Sequence, residues 1–253
     1  MIRVGRAIYG KAGNVTYPSY EGFTPIVVMM RSHSIYHSLS PYMLKDDENR
    51  TMENIWQFSK IYETVPKTTQ RYSRWNQTVI WSYPKERHVD ENGEILPGYW
   101  KWRRRGMKNK YAVRYPVGYQ NRSKCLYAIP EYDLDAKLDY IESRRKIYIP
   151  EYCRLAKEDP ISFPDLKARL ENGENILIIE PDGPHQESLD YYKREYGVAN
   201  DFIEDHTMLV TEQNITTMAL DQKHPFGHGF CLGMALLDMD QDLLDFWDDI
   251  LEI

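Results

Sequence analysis

The chain has 253 residues and a formal net charge of −6, and with 42% hydrophobic and 28% charged residues it has the composition of a soluble globular protein. Its three cysteines are widely spaced, which excludes a disulfide framework and zinc sites of the CxxC type. The apolar runs fall far short of the roughly 20 residues that span a bilayer, and the first 25 residues lack the apolar core of a signal peptide. We therefore expect a cytoplasmic protein that does not enter a membrane.

The elements near the start of the chain indicate its fold class. Turn residues separate short β-branched or aromatic runs, which indicates strands or loops, with a buried strand at Pro25–Met30. Thr51–Tyr62 is predicted to be a helix, because Thr51 can cap it and apolar residues recur at the spacing of one helix face. No repeat or Gly/Ser-rich linker divides the chain. We predict an α+β fold, a predominantly helical single domain over residues 1–253 with a few short strands.

Turn signals and apolar periodicity predict the remaining elements. A hairpin or ordered loop is expected within Ser73–Tyr99. Pro150 should stop or kink a helix over Leu134–Tyr148. Four consecutive apolar residues make Asn175–Glu180 the clearest strand. Other predicted elements are a helix from Phe163 to Asn172-Gly173, a helix over Ser188–Tyr196, a strand over Thr207–Thr211 and a helix from about Phe230.

Basic residues are concentrated in one segment. Lys101–Lys124 contains nine Lys or Arg and no acid, interleaved with aromatic rings. One interpretation is a solvated face. The other is a site for single-stranded nucleic acid or a nucleotide, since rings stack on bases and cations pair with phosphates. We call residues 100–124 the basic segment; its rings are Trp100, Trp102, Tyr111, Tyr115 and Tyr119.

The C-terminal residues 238–253 are predicted to form an acidic helix. Asp238–Glu252 contains seven acids and no base. An apolar face accompanies these acids, which is typical of a terminal helix docked on the protein body. The alternative is an acidic amphipathic helix that binds a protein partner. The residues of this apolar face are Leu243, Leu244, Phe246, Trp247, Ile250 and Leu251.

Three features are candidates for chemistry. Glu53, Gln57 and Lys60 lie on one side of the first predicted helix, where a carboxylate near a cation can be held ionised, although a surface ion-pair stripe has the same pattern. Asp182 follows the predicted strand in Glu180-Pro-Asp-Gly-Pro, either in a plain turn or as a ligand of a ribose hydroxyl or a metal. In KHPFGHGF, Gly227 and Gly229 allow close backbone approach to an anion, and His228 can change its charge near neutral pH.

The order of these features resembles the NADAR/YbiA-like N-glycosidase superfamily. LSPYMLKDDENRTMENIWQFSKIY is similar to the opening motif of that family, so that Ser40, Glu53, Trp56-Gln57 and Lys60 fall on its pattern. KARLENGENILIIE is similar to its central strand and places Glu180 in the matching position. HPFGHGFCLGMALL is similar to its closing glycine-rich segment. The chain departs from the family at Asn54, where the family usually has His.

The resemblance implies hydrolysis of an N-glycosidic bond in a ribosylated or ADP-ribosylated nucleotide or nucleic acid. A fixed carboxylate would stabilise the positive charge that forms on the sugar, and we assign this role to Glu53. Lys60 would orient Glu53 or hold phosphate, and Asp182 or Glu180 would position the ribose. Phosphates would be bound by Arg103, Arg104 and Arg114.

No metal or cofactor is expected. Two functions other than the one that the resemblance implies stay open. Glu53 would form one wall of a pocket, and the loop Gly227–Gly229, with His228, would form the other. A non-enzymatic nucleic-acid or nucleotide-binding protein that uses the basic segment is one alternative. A viral-type interaction protein that acts through its acidic C-terminal helix is the other. Serine or cysteine hydrolase chemistry has little support in the sequence, because it contains no GxSxG elbow.

Overall fold

A computed structural model describes residues 1–10, 13–30 and 33–251, without the side chains of Ile250 and Leu251. The chain divides into two compact units, which we call unit 1 (Met1–Ser40 and Ile149–Ile253) and unit 2 (Pro41–Tyr148). Each unit combines helices with short strands, so the predicted α+β class is confirmed. The prediction of a single domain stays a prediction.

The described residues form strands and helices with the following bounds. The strands are β1 (Ile2–Arg6), β2 (Ile8–Tyr9), β3 (Val15–Thr16), β4 (Thr24–Val27), β5 (Lys60–Tyr62), β6 (Thr64–Val65), β7 (Thr68–Arg71), β8 (Val79–Tyr83), β9 (Glu86–Arg87), β10 (Cys125–Ala128), β11 (Ile176–Glu180) and β12 (Thr207–Leu209). The α-helices are α1 (Met52–Phe58), α2 (Pro97–Met107), α3 (Tyr140–Ser143), α4 (Ile149–Glu158), α5 (Ser162–Glu171), α6 (Leu189–Tyr196), α7 (Glu212–Leu220), α8 (His228–Leu236) and α9 (Asp240–Leu251). Short 3-10 helices cover Ile35–Leu39, Tyr119–Lys124 and Gln186–Ser188, and a π-helix covers Arg144–Tyr148.

Unit 1 is built on a four-stranded sheet in the order β12-β1-β11-β4. β11 runs parallel to both of its neighbours, β1 and β4, whereas β12 is antiparallel to β1. All five residues of β11 are buried, as expected for a central parallel strand that is covered on both faces. The carboxyl ends of the three parallel strands meet at one edge, where Glu180 ends β11. Ligands of open α/β sheets bind at such an edge.

Two helices complete the core of unit 1. Every residue of α8 is buried, and α8 packs on β1 and β11. α9 packs on α4 and α8 with Leu243 and Trp247 buried, and the Trp247 Nε1–H donates to Thr216 Oγ1 at 3.0 Å. The docked terminal helix is therefore confirmed, although Phe246 of the expected apolar face is 51% exposed. Of that face, the side chains of Ile250 and Leu251 lie outside the described residues.

Aromatic packing forms the core of unit 2. Phe58 of α1 lies with its ring centroid 4.9 Å from that of Trp81 and 4.6 Å from that of Trp102. Gly106 of α2 leaves room for the Phe58 ring, since a Cβ at that position would lie 2.0 Å from it. β5 pairs with β10, and β7 and β8 form an antiparallel hairpin. The hairpin places Thr68–Arg71 beside Val79–Tyr83.

Two predicted helices have other bounds than the observed ones. The helix expected over Thr51–Tyr62 ends at Phe58, and Lys60–Tyr62 is instead strand β5. Pairing with β10 buries Ile61 and Tyr62, so tertiary contacts override the helical periodicity. The helix expected over Leu134–Tyr148 begins only at Tyr140, because Asp139 and Glu142 form a capping box.

Other predicted elements are found with small shifts in their bounds. The helix closed by Gly173, whose φ is 86°, and the strand ending at Glu180 are both present. The helical segment does not stop at Pro150, because α3, the π-helix Arg144–Tyr148 and α4 follow one another without a break. The wider π turn lies directly before α4, which contains Pro150. Helix α7 was not predicted. Throughout the described residues, no helix combines the length and the apolar character that crossing a bilayer would need.

Candidate functional site

A buried carboxylate in unit 2 is the first part of the candidate site. Thr51 caps α1 by accepting the Asn54 N–H at 3.3 Å, which places Glu53 in the first turn. Glu53 is 6% exposed, and Gln57 Nε2 donates to its Oε1 at 3.1 Å. Lys60 Nζ donates in turn to Gln57 Oε1 at 3.3 Å. We call these three residues the Glu53 network; its hydrogen bonds hold a carboxylate that burial alone would destabilise.

Lys60 is brought to this network by a strand and not by the predicted helix. Its ammonium lies 4.1 Å from the centroid of the Trp56 ring, a cation–π contact, and that ring packs on Tyr148 at 5.1 Å. Burial lowers the pKa of Lys60 to about 8, against the opposing influence of Cys125 and Glu53. The ammonium therefore titrates within the range in which enzymes work.

Arg103 is a buried cation in the same unit. It is 4% exposed, and Nη1 donates to the Tyr99 hydroxyl at 3.3 Å. Burial raises the pKa of Tyr99 to about 12, although Arg103 opposes the shift. Within the described ranges, Arg103 forms no ion pair and its Nη2 has no hydrogen-bond partner. A buried guanidinium of this kind favours an anionic ligand, because an unpaired charge is costly away from water.

The other predicted residues of the basic segment have different environments. Arg104 is exposed, and Arg114 is partly buried with its guanidinium carbon 5.3 Å from the Tyr115 ring centroid. The basic segment is therefore not one solvated face, since Arg103 is buried whereas the other cations of α2, Lys101, Arg104 and Arg105, are exposed. The three arginines are not equivalent candidates for binding phosphate.

Unit 1 contributes a buried ion pair at the carboxyl edge of its sheet. Glu180 is fully buried, and His228 Nδ1 lies 3.0 Å from Glu180 Oε2. His228 Nε2 lies 3.1 Å from the Val28 carbonyl oxygen, which can only accept. When the imidazole is protonated, it forms an ion pair with the Glu180 carboxylate and donates from Nε2 to the Val28 carbonyl. Burial by itself would lower the pKa of His228, but the Glu180 carboxylate and the Val28 carbonyl raise it above its usual range.

The glycines before and within the first turn of α8 make room for this pair. A Cβ at Gly227 would lie 1.8 Å from Glu180 Oε1, and one at Gly229 would lie 2.9 Å from Glu180 Cγ. In this unit the glycine-rich loop thus packs against a carboxylate of the protein itself. No hydrogen bond to either carboxylate oxygen of Glu180 is found in the part of the chain that the structure describes, so His228 stabilises it as an ion-pair partner.

Two further predicted residues lie elsewhere in unit 1. Ser40 is 4% exposed and follows the 3-10 helix Ile35–Leu39, with its N–H donating to the His37 carbonyl at 3.1 Å. Asp182 is partly buried in the turn that follows β11. Among the described residues, no group of three or more His, Cys, Asp or Glu side chains is arranged to hold a metal ion.

A cleft in unit 2 was not predicted from the sequence. Its volume is about 430 Å³, and its lining combines the β7–β8 hairpin with residues 115–119. The hairpin supplies Arg71 and Arg74, which lie outside the basic segment. A signal for them exists, since residues 64–83 contain three cations and no acid. We call this the cationic cleft; its lining residues are Thr68, Thr69, Gln70, Arg71, Ser73, Arg74, Gln77, Tyr115, Gly118 and Tyr119.

Replacing His228 by Gln should lower the free energy of unfolding by about 3 to 5 kcal/mol at pH 5.5, because it leaves Glu180 buried without a counter-charge. The raised pKa of His228 also fixes the sign of the pH dependence. The contribution of His228 to the free energy of unfolding is complete below the ordinary histidine pKa, and it is lost as the pH rises through the pKa of His228 in the folded state. Urea unfolding between pH 5 and 8 measures both effects.

The matched control is His33→Gln, which removes an exposed histidine of the same unit. It should leave the stability and its pH dependence unchanged. Equal stability of His228→Gln and the parent protein at pH 5.5 would contradict the ion-pair assignment.

Comparison with known proteins identifies no relative of the chain. No protein-family model matches it, and neither a curated protein nor a solved structure does. The resemblance to the NADAR superfamily therefore stays a prediction that rests on three sequence segments.

Proposed function

We propose that the protein hydrolyses an N-glycosidic bond in a ribosylated or ADP-ribosylated nucleotide or nucleic acid. The observation that carries the proposal is the Glu53 network. In it, a carboxylate with 6% exposure accepts a hydrogen bond from Gln57, and Gln57 in turn accepts one from the titratable ammonium of Lys60. Departure of the base leaves positive charge on the sugar. A carboxylate whose position is already fixed can stabilise this charge without reorganising.

Each member of the network has a distinct role in this proposal. Glu53 stabilises the oxocarbenium-like sugar and accepts a proton from the attacking water. Gln57 fixes the Glu53 side chain, and Lys60 fixes Gln57 while providing positive charge for phosphate. Arg103, which lacks a carboxylate partner among the described residues, is a second candidate for phosphate. The roles that the resemblance assigns to Ser40, Asp182 and Gly227–Gly229 stay predictions.

Glu53→Gln should reduce turnover of an ADP-ribosylated oligonucleotide by about 10²- to 10⁴-fold, because the amide can neither balance the sugar charge nor accept a proton. Substrate binding should be retained, since Gln fills nearly the same volume. Release of ADP-ribose, followed by chromatography, gives kcat, and fluorescence anisotropy gives Kd. Glu48→Gln is the control, as Glu48 is an exposed acid of the same unit. Undiminished turnover in Glu53→Gln rules out this assignment.

The activity should also fall as the pH rises through about 8, because Lys60 then loses the charge that burial already disfavours. Lys60→Arg tests this dependence, since a guanidinium stays protonated across the range. The variant should be less active than the parent at pH 7, because a guanidinium does not reproduce the geometry of the ammonium. Its activity should not fall further above pH 8. A parent pH profile that is flat from 7 to 9.5 argues against a role for Lys60.

A second candidate function is binding of single-stranded nucleic acid or a nucleotide through the cationic cleft. Arg71 and Arg74 form no ion pair within the described ranges, and Arg71 donates only to the neutral amide of Gln77. Tyr115 and Tyr119 lie in the same lining, with ring centroids 5.1 Å apart. Unpaired cations beside rings suit phosphates and bases.

If this candidate holds, Arg71→Gln should weaken oligonucleotide binding and reduce the slope of log Kd against log salt by about 0.7, the value for one lost phosphate contact on a single strand. Lys85→Gln is the control, because Lys85 is an exposed cation of unit 2 outside the cleft lining. Fluorescence anisotropy at several salt concentrations measures the slope. Identical slopes for the two variants would exclude the cleft as the binding surface.

The remaining expectations concern location and partners. We infer a cytoplasmic location, which is supported by the free thiols of Cys125, Cys153 and Cys231, since a reducing compartment keeps thiols free. Binding of a protein partner through α9 stays a prediction. The buried side of α9 is used by Leu243 and Trp247, which leaves its exposed acids for such a contact.

A further inference from the structure

Three side chains in unit 1 form a hydrogen-bonded series outside the site described above. Ser188 Oγ lies 2.9 Å from His224 Nε2, and His224 Nδ1 lies 2.6 Å from Asp221 Oδ2. Asp221 is fully buried and the His224 side chain is 11% exposed. Ser188 is partly buried. Both distances are within hydrogen-bond reach, which is the geometric requirement for a nucleophile, a base and the group that orients the base.

The partners of Asp221 fix the direction of these hydrogen bonds. Its carboxylate accepts the Tyr191 hydroxyl at 2.9 Å, the Tyr192 hydroxyl at 2.8 Å and the Lys223 N–H at 2.9 Å. Burial would raise the pKa of Asp221, but these donors and His224 lower it, so Asp221 is an anion. An anion only accepts, so His224 Nδ1 carries the proton. In the neutral imidazole, Nε2 is then an acceptor, and Ser188 Oγ–H is its donor.

Ser188 does not have the usual role of a serine at its position. It precedes α6 as the N-cap residue, where a serine hydroxyl normally accepts an N–H of the first turn. Here Ser188 makes no side-chain cap hydrogen bond, and its hydroxyl is directed to the imidazole. The serine lies eight residues beyond the end of β11 along the chain, as the last residue of the 3-10 helix Gln186–Ser188.

We propose that Ser188, His224 and Asp221 form a second catalytic centre, one that hydrolyses carboxylic esters. Ser188 Oγ attacks the ester carbonyl carbon while its proton moves to His224 Nε2, and the carbonyl electron pair moves onto oxygen. The tetrahedral species collapses, the C–O bond to the alcohol breaks, and His224 Nε2 returns the proton to the leaving alkoxide. Water then attacks the acyl-serine with His224 as base, which releases the carboxylic acid and restores Ser188.

The surroundings of the centre support these roles. Asp221 is a positioning residue, which sets the tautomer of His224 and stabilises the imidazolium that forms. The rings of Tyr191 and Tyr192 flank His224, with centroids 5.1 and 5.2 Å from that of the imidazole. This order along the chain, Ser then Asp then His, is that of the α/β-hydrolases.

The test uses the full chain, a fluorophosphonate probe and p-nitrophenyl acetate. The probe should form one adduct, which peptide mapping of the parent protein assigns to Ser188, and the acetate should give a burst of nitrophenol. Ser188→Ala should abolish both signals, a loss of at least about a hundredfold. Ser38→Ala is the control, because Ser38 Oγ is hydrogen-bonded to Ser162 Oγ and not to an imidazole.

Further readouts separate catalysis from a structural role. Asp221→Asn should slow probe labelling and move the pH at which labelling begins, whereas a purely structural contact would leave that pH unchanged. The probe should label Ser188 of the Glu53→Gln variant at the parent rate, so this centre and the proposed glycosidase are tested independently. No adduct on Ser188 of the parent protein, or equal labelling of Ser188→Ala, would overturn the proposal. Because the adduct is mapped on the parent chain, the test remains decisive even where Ser188→Ala does not fold.

Discussion

The ion pair between Glu180 and His228 is the constraint on which the sheet edge of unit 1 depends. It places a carboxylate at the end of a strand whose other residues are all apolar and buried. Such a charge is tolerable only if a counter-charge is built in, and His228 supplies it from the first turn of α8. The carbonyl of Val28, the residue that follows strand β4, completes the arrangement. Sheet and helix are thereby joined by charge as well as by apolar packing.

Unit 2 also keeps charged side chains away from water. Glu53 is buried with Gln57 among its partners, and Arg103 is buried with the Tyr99 hydroxyl among its partners. The Nη2 of Arg103 has no hydrogen-bond partner in the described part of the chain. Polar groups that are desolvated and incompletely satisfied are typical of functional sites, and Arg103 is such a group.

Sequence reasoning succeeded where the signal was local. β11 and the end of α5 at Gly173 follow from a continuous apolar run and a left-handed glycine, and both need only a few neighbouring residues. It failed where pairing between distant segments decided the outcome. Lys60 belongs to a strand because β10, more than sixty residues later, pairs with it.

The candidate sites divide in the same way. Glu53, Gln57 and Lys60 were predicted as a group because they are close along the chain. Ser188 and His224 are separated by 36 residues, and no elbow motif marks the serine, so only the fold reveals their contact. The cationic cleft likewise joins a hairpin to a segment about forty residues away.

The placement of the tryptophans gives the two units different optical properties. Unit 1 contains Trp247 alone, fully buried and hydrogen-bonded through its indole N–H. The other five tryptophans of the chain belong to unit 2, among them Trp81 and Trp102 in its aromatic core. Intrinsic fluorescence is therefore dominated by one unit. Replacing Trp247 by Phe would leave tryptophan fluorescence from unit 2 alone, so that the loss of structure in that unit can be followed by itself in the intact chain.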